Sequence, residues 1–331
     1  MTTSQKAWSV LLAVAAAGAV PSSSLSADDN WGKWGPTDQI GTLNYITPEV
    51  IGHAASLVRQ GKVVSLALPL AAYQPSPNRK VEHHMLETGQ GSHESGRPLW
   101  MQDWLSLPCH GTTHWDGLGH VFGKGKIYNG YDAQANVTSE GTQKNGIQNA
   151  RNKVVARGVL VDLVRYKNLE HLPPGYVITP EDIEGAARAE KVAFRPGDVI
   201  LIRTGWINTY RTPFRRNGSP DVFSGDQPGI GWATSQWLKQ QRAAAVALDN
   251  LDGEAIPCEP EAARRIGPPS FSRPIHYELI RNQGMMIGEL FKLDGLAEAC
   301  AKDGVYEFMF VAVPLNLTNA TASPLNPQAI R

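Results

Sequence analysis

The sequence predicts a single α/β domain, and three observations carry that expectation. Short apolar runs rich in β-branched residues alternate with helix-start signals from residue 47 to residue 313. The 32 glycines and 23 prolines supply too many breakers for an all-helical bundle. No internal repeat, heptad array or Pro/Gly linker divides the 331 residues, so residues 28–331 read as one domain with room for a sizeable core.

The elements follow in order. Thr47-Pro48-Glu49 opens an amphipathic helix that stops before Gly61; Thr47 can cap it, and the proline sits where its missing N–H costs nothing. Val63 to Leu68 reads as a strand. Residues 71–103 are rich in Gly, Ser, Pro, His and charge, and read as a long surface excursion. The β-branched run Val154 to Val164 is a strand. Thr179-Pro180-Glu181-Asp182 repeats the cap-and-proline start for a helix reaching about Lys191. Pro196-Gly197-Asp198 turns into the strand Val199 to Ile202, and residues 211–229 form a polar loop. A helix near Thr234 to Gln241 leads to the strand Ala244 to Leu248. A further helix, Ile275 to Asn282, ends near Gly284 and feeds the strand Met285 to Ile287. Tyr306 to Val313 is the last strong strand.

Charge narrows the function. Lys+Arg is 31 and Asp+Glu is 31, so there is no excess with which to coat nucleic acid or hold an acidic membrane. Residues 1–27 combine Lys6, an uncharged apolar run from Ala7 to Val20, and a small-residue exit before Asp28-Asp29. That pattern reads as a secretory signal, and the run is short for a bilayer span. The mature protein is therefore expected to be exported, periplasmic or secreted, and free of the membrane. Three cysteines (Cys109, Cys258, Cys300) cannot build a disulfide framework.

The chemistry concentrates in Cys109-His110-Gly111-Thr112-Thr113-His114-Trp115-Asp116-Gly117-Leu118-Gly119-His120. Three of the nine histidines fall within these residues, with an aspartate among them. Imidazole with carboxylate is the usual donor set for catalytic Zn, Mn or Fe. Gly and Thr between the histidines disfavour a helix. An extended chain would point His110, His114, Asp116 and His120 to one face. A straight strand would still separate His110 from His114 by roughly 13 Å, so a bend is required. The competing reading is a loop of satisfied polar histidines, which four donors on one parity make the weaker one.

More ligands must come from afar. His276, Glu278 and Glu289 form the best distant set; Asp249, Asp252 and Glu254 are a weaker alternative. His83, His84 and His93 read as solvated. Cys109 has no histidine–acid relay to activate it. Trp100, Trp104 and Trp115 could wall an aromatic substrate pocket, with core packing as the competing reading.

At these residues the sequence resembles the cyclase family, which includes bacterial kynurenine formamidase and isatin hydrolase. The family carries His-x-Gly-Thr-His-x-Asp-x-x-x-His, and the spacing is kept here by His110, Thr113, His114, Asp116 and His120. Thr112 replaces the usual glycine, and Leu118 stands where the formamidase branch often has proline. The stretch Trp34 to Asn44, His276 through Glu289 and Pro314 through Pro327 also resemble the family's longer branch. The resemblance implies a swivelling β/β/α fold, a homodimer or higher homo-oligomer, and metal-dependent hydrolysis of an amide. It implies His110, His114, Asp116, His276 and Glu289 as ligands of a divalent metal, Zn or Mn, and His120 as the proton-transfer residue. The expected substrate is a small molecule, aromatic or heterocyclic, holding a cyclic amide, imide, lactone or N-formyl group. Two rivals share the constellation: a metal lyase or dehydratase, and a non-catalytic exported metal-binding protein.

Overall fold

The apolar runs assemble into one mixed sheet in the computed structural model, which describes Met1 and residues 29–70, 81–88, 100–209, 225–267 and 272–331. Leaving aside four two-residue strands, the strands in chain order are β1 (Val63–Ser65), β2 (Glu82–Thr88), β3 (Trp100–Ser106), β4 (His114–Asp116), β5 (Val155–Asp162) and β6 (Val199–Arg203). They continue with β7 (Ala245–Leu248), β8 (Met286–Glu289), β9 (Glu307–Val311), β10 (Ala322–Pro324) and β11 (Gln328–Ile330). Nine of them pair in the order β1-β11-β9-β5-β6-β7-β8-β4-β10. The centre, β5-β6-β7-β8, is parallel. Every strand added outside it is antiparallel.

This layout explains the pattern of the sequence. Parallel strands covered on both faces need unbroken apolar side chains. Val199-Ile200-Leu201-Ile202 and Ala245-Val246-Ala247-Leu248 are accordingly buried throughout. The helices form as their caps require. In α1 (Pro48–Ser56) the Thr47 hydroxyl accepts from Val50 N. In α2 (Pro180–Ala189) Thr179 and Asp182 make a full capping box. These two, α3 (Trp232–Gln240) and the later helices give the expected α/β domain.

Two elements differ from the sequence reading. Residues 71–103 are not all irregular: β2 pairs with β3, register Glu82↔Ser106 to Thr88↔Trp100, in a two-stranded ribbon separate from the main sheet. Its sequence, Glu-His-His-Met-Leu-Glu-Thr, has no apolar alternation to announce a strand. The expected helix Ile275 to Asn282 is a short α4 (Pro274–His276) that widens into a π-helix, Tyr277–Gln283. Gly284, at φ 69°, closes it as expected. The candidate signal beyond Met1, the loop region 210–224 and His93 lie outside the described residues.

Candidate active site

Strand β4 holds the site, and its neighbours fix it. Thr113, just before β4, is fully buried. Its hydroxyl donates to Leu290 O at 2.6 Å and accepts from Leu68 N at 2.9 Å, while its carbonyl accepts from Leu325 N at 2.9 Å. Three segments thus clamp the residue that precedes His114. Across the β4–β8 ladder His114 lies opposite Glu289 and Asp116 opposite Ile287. Directly opposed residues share a face, so His114, Asp116 and Glu289 point the same way.

The bend demanded by the sequence is present. A turn closed by Gly111 N to Pro108 O at 2.9 Å brings the His110 ring to 5.1 Å from the His114 ring. A second turn, His120 N to Gly117 O at 3.0 Å, returns His120 to the same place. Asp116 becomes the hub. Its Oδ1 lies 3.2 Å from His110 Nε2 and 3.3 Å from His114 Nε2. Its Oδ2 lies 3.6 Å from both His120 Nε2 and His276 Nε2. Glu289 is 3.3 Å from His114 Nε2 and 3.2 Å from His276 Nε2.

The donor set fits a cation. His114 Nδ1 pairs with Thr112 O at 2.7 Å, which places a proton on Nδ1 and leaves Nε2 as the atom open to a second proton or a cation. Nε2 faces two carboxylates, and neither it nor Asp116 Oδ1 has an aligned hydrogen-bond partner although both are buried. Such atoms are costly unless a positive charge sits among them. The titration of the groups says the same. Burial opposes protonation of His114, yet Asp116 and Glu289 override it and push the ring up to about 9. Burial also works against the charge on Asp116, but the surrounding histidines hold its carboxyl well below the usual range. Two triads lie within reach of an ion, His114–Asp116–Glu289 and His110–Asp116–His120, with Asp116 common to both.

The chain matches the family model "Putative cyclase" over residues 54–255. It belongs to the cyclase family. A solved structure of a novel cyclase is 38% identical, with TM-score 0.80, covering 92% of this chain and 97% of that one. Isatin hydrolase A from Labrenzia aggregata, bound to benzyl benzoate, is 20% identical with TM-score 0.53, covering 85% of this chain and 96% of its own. An isatin hydrolase bound to the product analogue thioisatinate is likewise 20% identical with TM-score 0.55, covering 86% and 98%. The last two share the fold. No curated protein matches the chain.

In this cyclase-family chain, His110, His114, Asp116, His120, His276 and Glu289 all meet at one place. Trp115 does not join them. It faces the other side of β4, fully buried, with its indole donating to Ala312 O at 2.8 Å and packing on Phe291 and Phe310. Its opposite residue, Gly288, leaves room for that ring, since a Cβ there would come within 2.7 Å of it. Trp115 is therefore core and not substrate wall. Trp100 begins β3, and its side chain lies outside the described residues. Trp104, half exposed on the ribbon, stacks on His84. Glu278 is engaged by Gln236, Asn282 and Gln283 and takes no part. Asp249 is held by the backbone N–H groups of Thr204 and Gly205.

Sequence reading weighed Glu254 as a ligand, and the structure gives it another place. Its Oε1 sits 2.5 Å from His276 Nδ1, behind the ring rather than before it. The same carboxylate accepts from Ile275 N and His276 N. Arg273 was not anticipated. It joins Asp252 in the wall of a cavity of about 270 Å³ into which His120 and Glu289 also face.

Proposed function

We propose that this protein is a metal-dependent hydrolase that opens a cyclic amide, imide or lactone, or cleaves an N-formyl aryl amide. The carrying observation is the buried His114–Asp116–Glu289 group with its two unpartnered atoms, set beside a more exposed histidine on the same aspartate. The isatin hydrolase structures that share the fold support this reaction class. His114, Asp116 and Glu289 would hold a divalent metal, Zn or Mn, with His110 and His276 completing the set. When bound, that ion supplies Lewis acidity toward a carbonyl oxygen and makes water acidic near neutral pH.

The chain's own groups do the rest. Asp116 and Glu289 set the charge of the site. Thr112 O fixes the tautomer of His114, and Glu254 fixes that of His276. His120 is the proton carrier. Its side chain is 33% exposed, against 22% for His110 and none for His114, so substrate reaches it most easily. It takes a proton from the attacking water and returns it to the leaving nitrogen or oxygen.

The test combines metal analysis with turnover of cyclic amides, lactones and N-formyl arylamines on one preparation. His120→Ala is expected to keep its metal and lose roughly 10²–10⁴-fold in turnover. Loss of metal and activity together would make His120 a ligand. Product formed without incorporation of labelled water oxygen would replace hydrolysis with a lyase reaction.

A further inference from the structure

We infer that Asn30 and Trp31 are positioning residues of the metal site: from the far end of the chain they cap the C-terminus of the π-helix that follows His276, and so hold His276 in the donor set. With His276 a ligand, as proposed above, the site then depends on residues about 250 positions away in sequence.

The helix needs that support. A helix end leaves its last carbonyls without partners inside the helix, and a buried carbonyl left unpaired is costly. The i→i+5 bonding of a π-helix frees one carbonyl more than an α-helix does. Arg281 and Gln283, in its last turn, are buried. Their carbonyls find donors in one N-terminal segment. The Trp31 indole donates to Arg281 O at 2.8 Å, Asn30 N to Asn282 O at 2.9 Å, and Asn30 Nδ2 to Gln283 O at 2.9 Å. Thr42 N donates to the next carbonyl, Gly284 O, at 2.8 Å. Four successive carbonyls are thus taken by residues 30–42. Asn30 is itself only 5% exposed, so its amide is no incidental surface contact.

Trp31 holds the same turn a second way. The Arg281 guanidinium lies between two rings, 4.6 Å from the centre of Trp31 and 4.7 Å from that of Tyr277. Its Nε donates to Gly123 O and Lys126 O, each at 3.1 Å. Gly123 lies three residues beyond His120, and a Cβ on it would come within 2.5 Å of the Tyr277 ring. The stack therefore ties the π-helix to the chain just past His120.

The consequence falls on His276. Glu254 grips the other end of the helical run, at Ile275 N and His276 N. Between two fixed ends the imidazole is kept with Nε2 3.2 Å from Glu289 and 3.6 Å from Asp116. With the C-terminal cap gone, the π turns are free to rewind toward i→i+4 bonding, and His276 rotates with them. His114, Asp116 and Glu289 lie on β4 and β8 and keep their places. Metal affinity falls while the sheet stays intact.

The experiment uses the full chain with Zn or Mn alone and a competing chelator, so its first readout needs no substrate. Asn30→Asp turns a donor into an acceptor facing Gln283 O. It is expected to weaken metal binding roughly 10- to 100-fold, the range for groups that act through a ligand. Trp31→Phe keeps a ring on Arg281 and removes only the indole N–H. It is expected to lose about fivefold, the worth of one neutral hydrogen bond, and it carries the test if Asn30→Asp does not fold. Hydrogen exchange of the metal-free variants should quicken at residues 277–283 and not in β5 or β6. Saturating metal should restore turnover at an unchanged KM. Wild-type affinity in the folded variants overturns the inference and leaves the segment a structural strap. Exchange quickened across the whole sheet also overturns it, since the loss would then be one of general stability. A wild type that binds neither Zn nor Mn overturns the metal reading and this assignment with it. Weakened affinity in a protein that turns over none of the proposed substrates upholds the cap and removes only the hydrolase reading.

Discussion

Two groups of buried charge lie on the same sheet, and they are satisfied in opposite ways. Arg157 on β5 is 2% exposed, yet its guanidinium is fully engaged. It meets Asp198 at 2.8 Å, Glu307 at 2.6 Å and Ala193 O at 3.0 Å. Each carboxylate there faces a cation that the chain itself provides. Four strands away, Asp116 and Glu289 have imidazoles as their ion-pair partners among the described residues, and His114 Nε2 and Asp116 Oδ1 are left without aligned partners. The Arg157 cluster completes its own charge pairing. The second cluster differs in that three or more metal-ligating side chains converge on its unpaired atoms, which is the arrangement that could hold an ion.

The most severe way to break the second cluster is Asp116→Asn, because Asp116 is common to both triads. The amide keeps the shape and removes the charge. Metal content is expected to collapse and activity to fall more than about 100-fold, beyond the 10–100-fold that outer-shell partners alone carry. The protein should remain folded, and its melting temperature should match that of chelator-treated wild type, since the loss is one of ligand linkage. Unchanged metal content and activity would make the cluster structural after all.

The first cluster should respond in the opposite sense. Arg157→Met leaves Asp198 buried beside Glu307 without its cation. Burial already pushes Asp198 up to about 6 even with Arg157 beside it, so the acid is poorly tolerated there. Denaturant unfolding is expected to show a loss of ~3–5 kcal/mol, the usual cost of removing one partner of a buried pair. Metal content and the KM of the folded fraction should not move. A variant that unfolded no more easily but lost metal would erase the distinction between the two clusters.

The contrast also shows what a sequence can disclose. The strands β5, β6 and β7 were legible because parallel, doubly covered strands must be continuous apolar runs. β4 was legible as an extended stretch but not as a bounded strand, and β10 was not legible at all; both are three-residue segments, His-Trp-Asp and Ala-Ser-Pro, that owe their pairing to neighbours rather than to pattern. The short-range donors were legible from spacing and parity. Parity also carried a lesson that the aromatic reading passed over. If His114 and Asp116 face the site, Trp115 between them must face the core, and it does. Arg273 and Glu254 were hidden for another reason. Their roles depend on contacts made across about twenty residues of chain, Glu254 to His276 and Asp252 to Arg273, which no local spacing encodes.

The smallest expected effect sharpens the comparison most, because it lies between the two clusters. Glu254 is buried like the Arg157 group, yet it contacts a residue of the unsatisfied one. Two roles are open to it. It accepts Ile275 N and His276 N at the start of α4, which is structural. It also receives the His276 Nδ1 proton at 2.5 Å, which turns Nε2 of that ring toward Asp116 and Glu289. Glu254→Gln separates them. Its single amide oxygen can keep the His276 N and Nδ1 bonds but not also the Ile275 N bond made to the other oxygen, so the protein should still fold with a loss of about 1–3 kcal/mol. The negative charge that makes the imidazole a stronger donor is gone, so metal affinity, read by competition with a chelator, is expected to weaken roughly 10- to 100-fold. Saturating metal should then restore most of the turnover, as it would not for Asp116→Asn. An affinity equal to that of wild type would place Glu254 with Arg157, as a charge whose only work is to hold the fold.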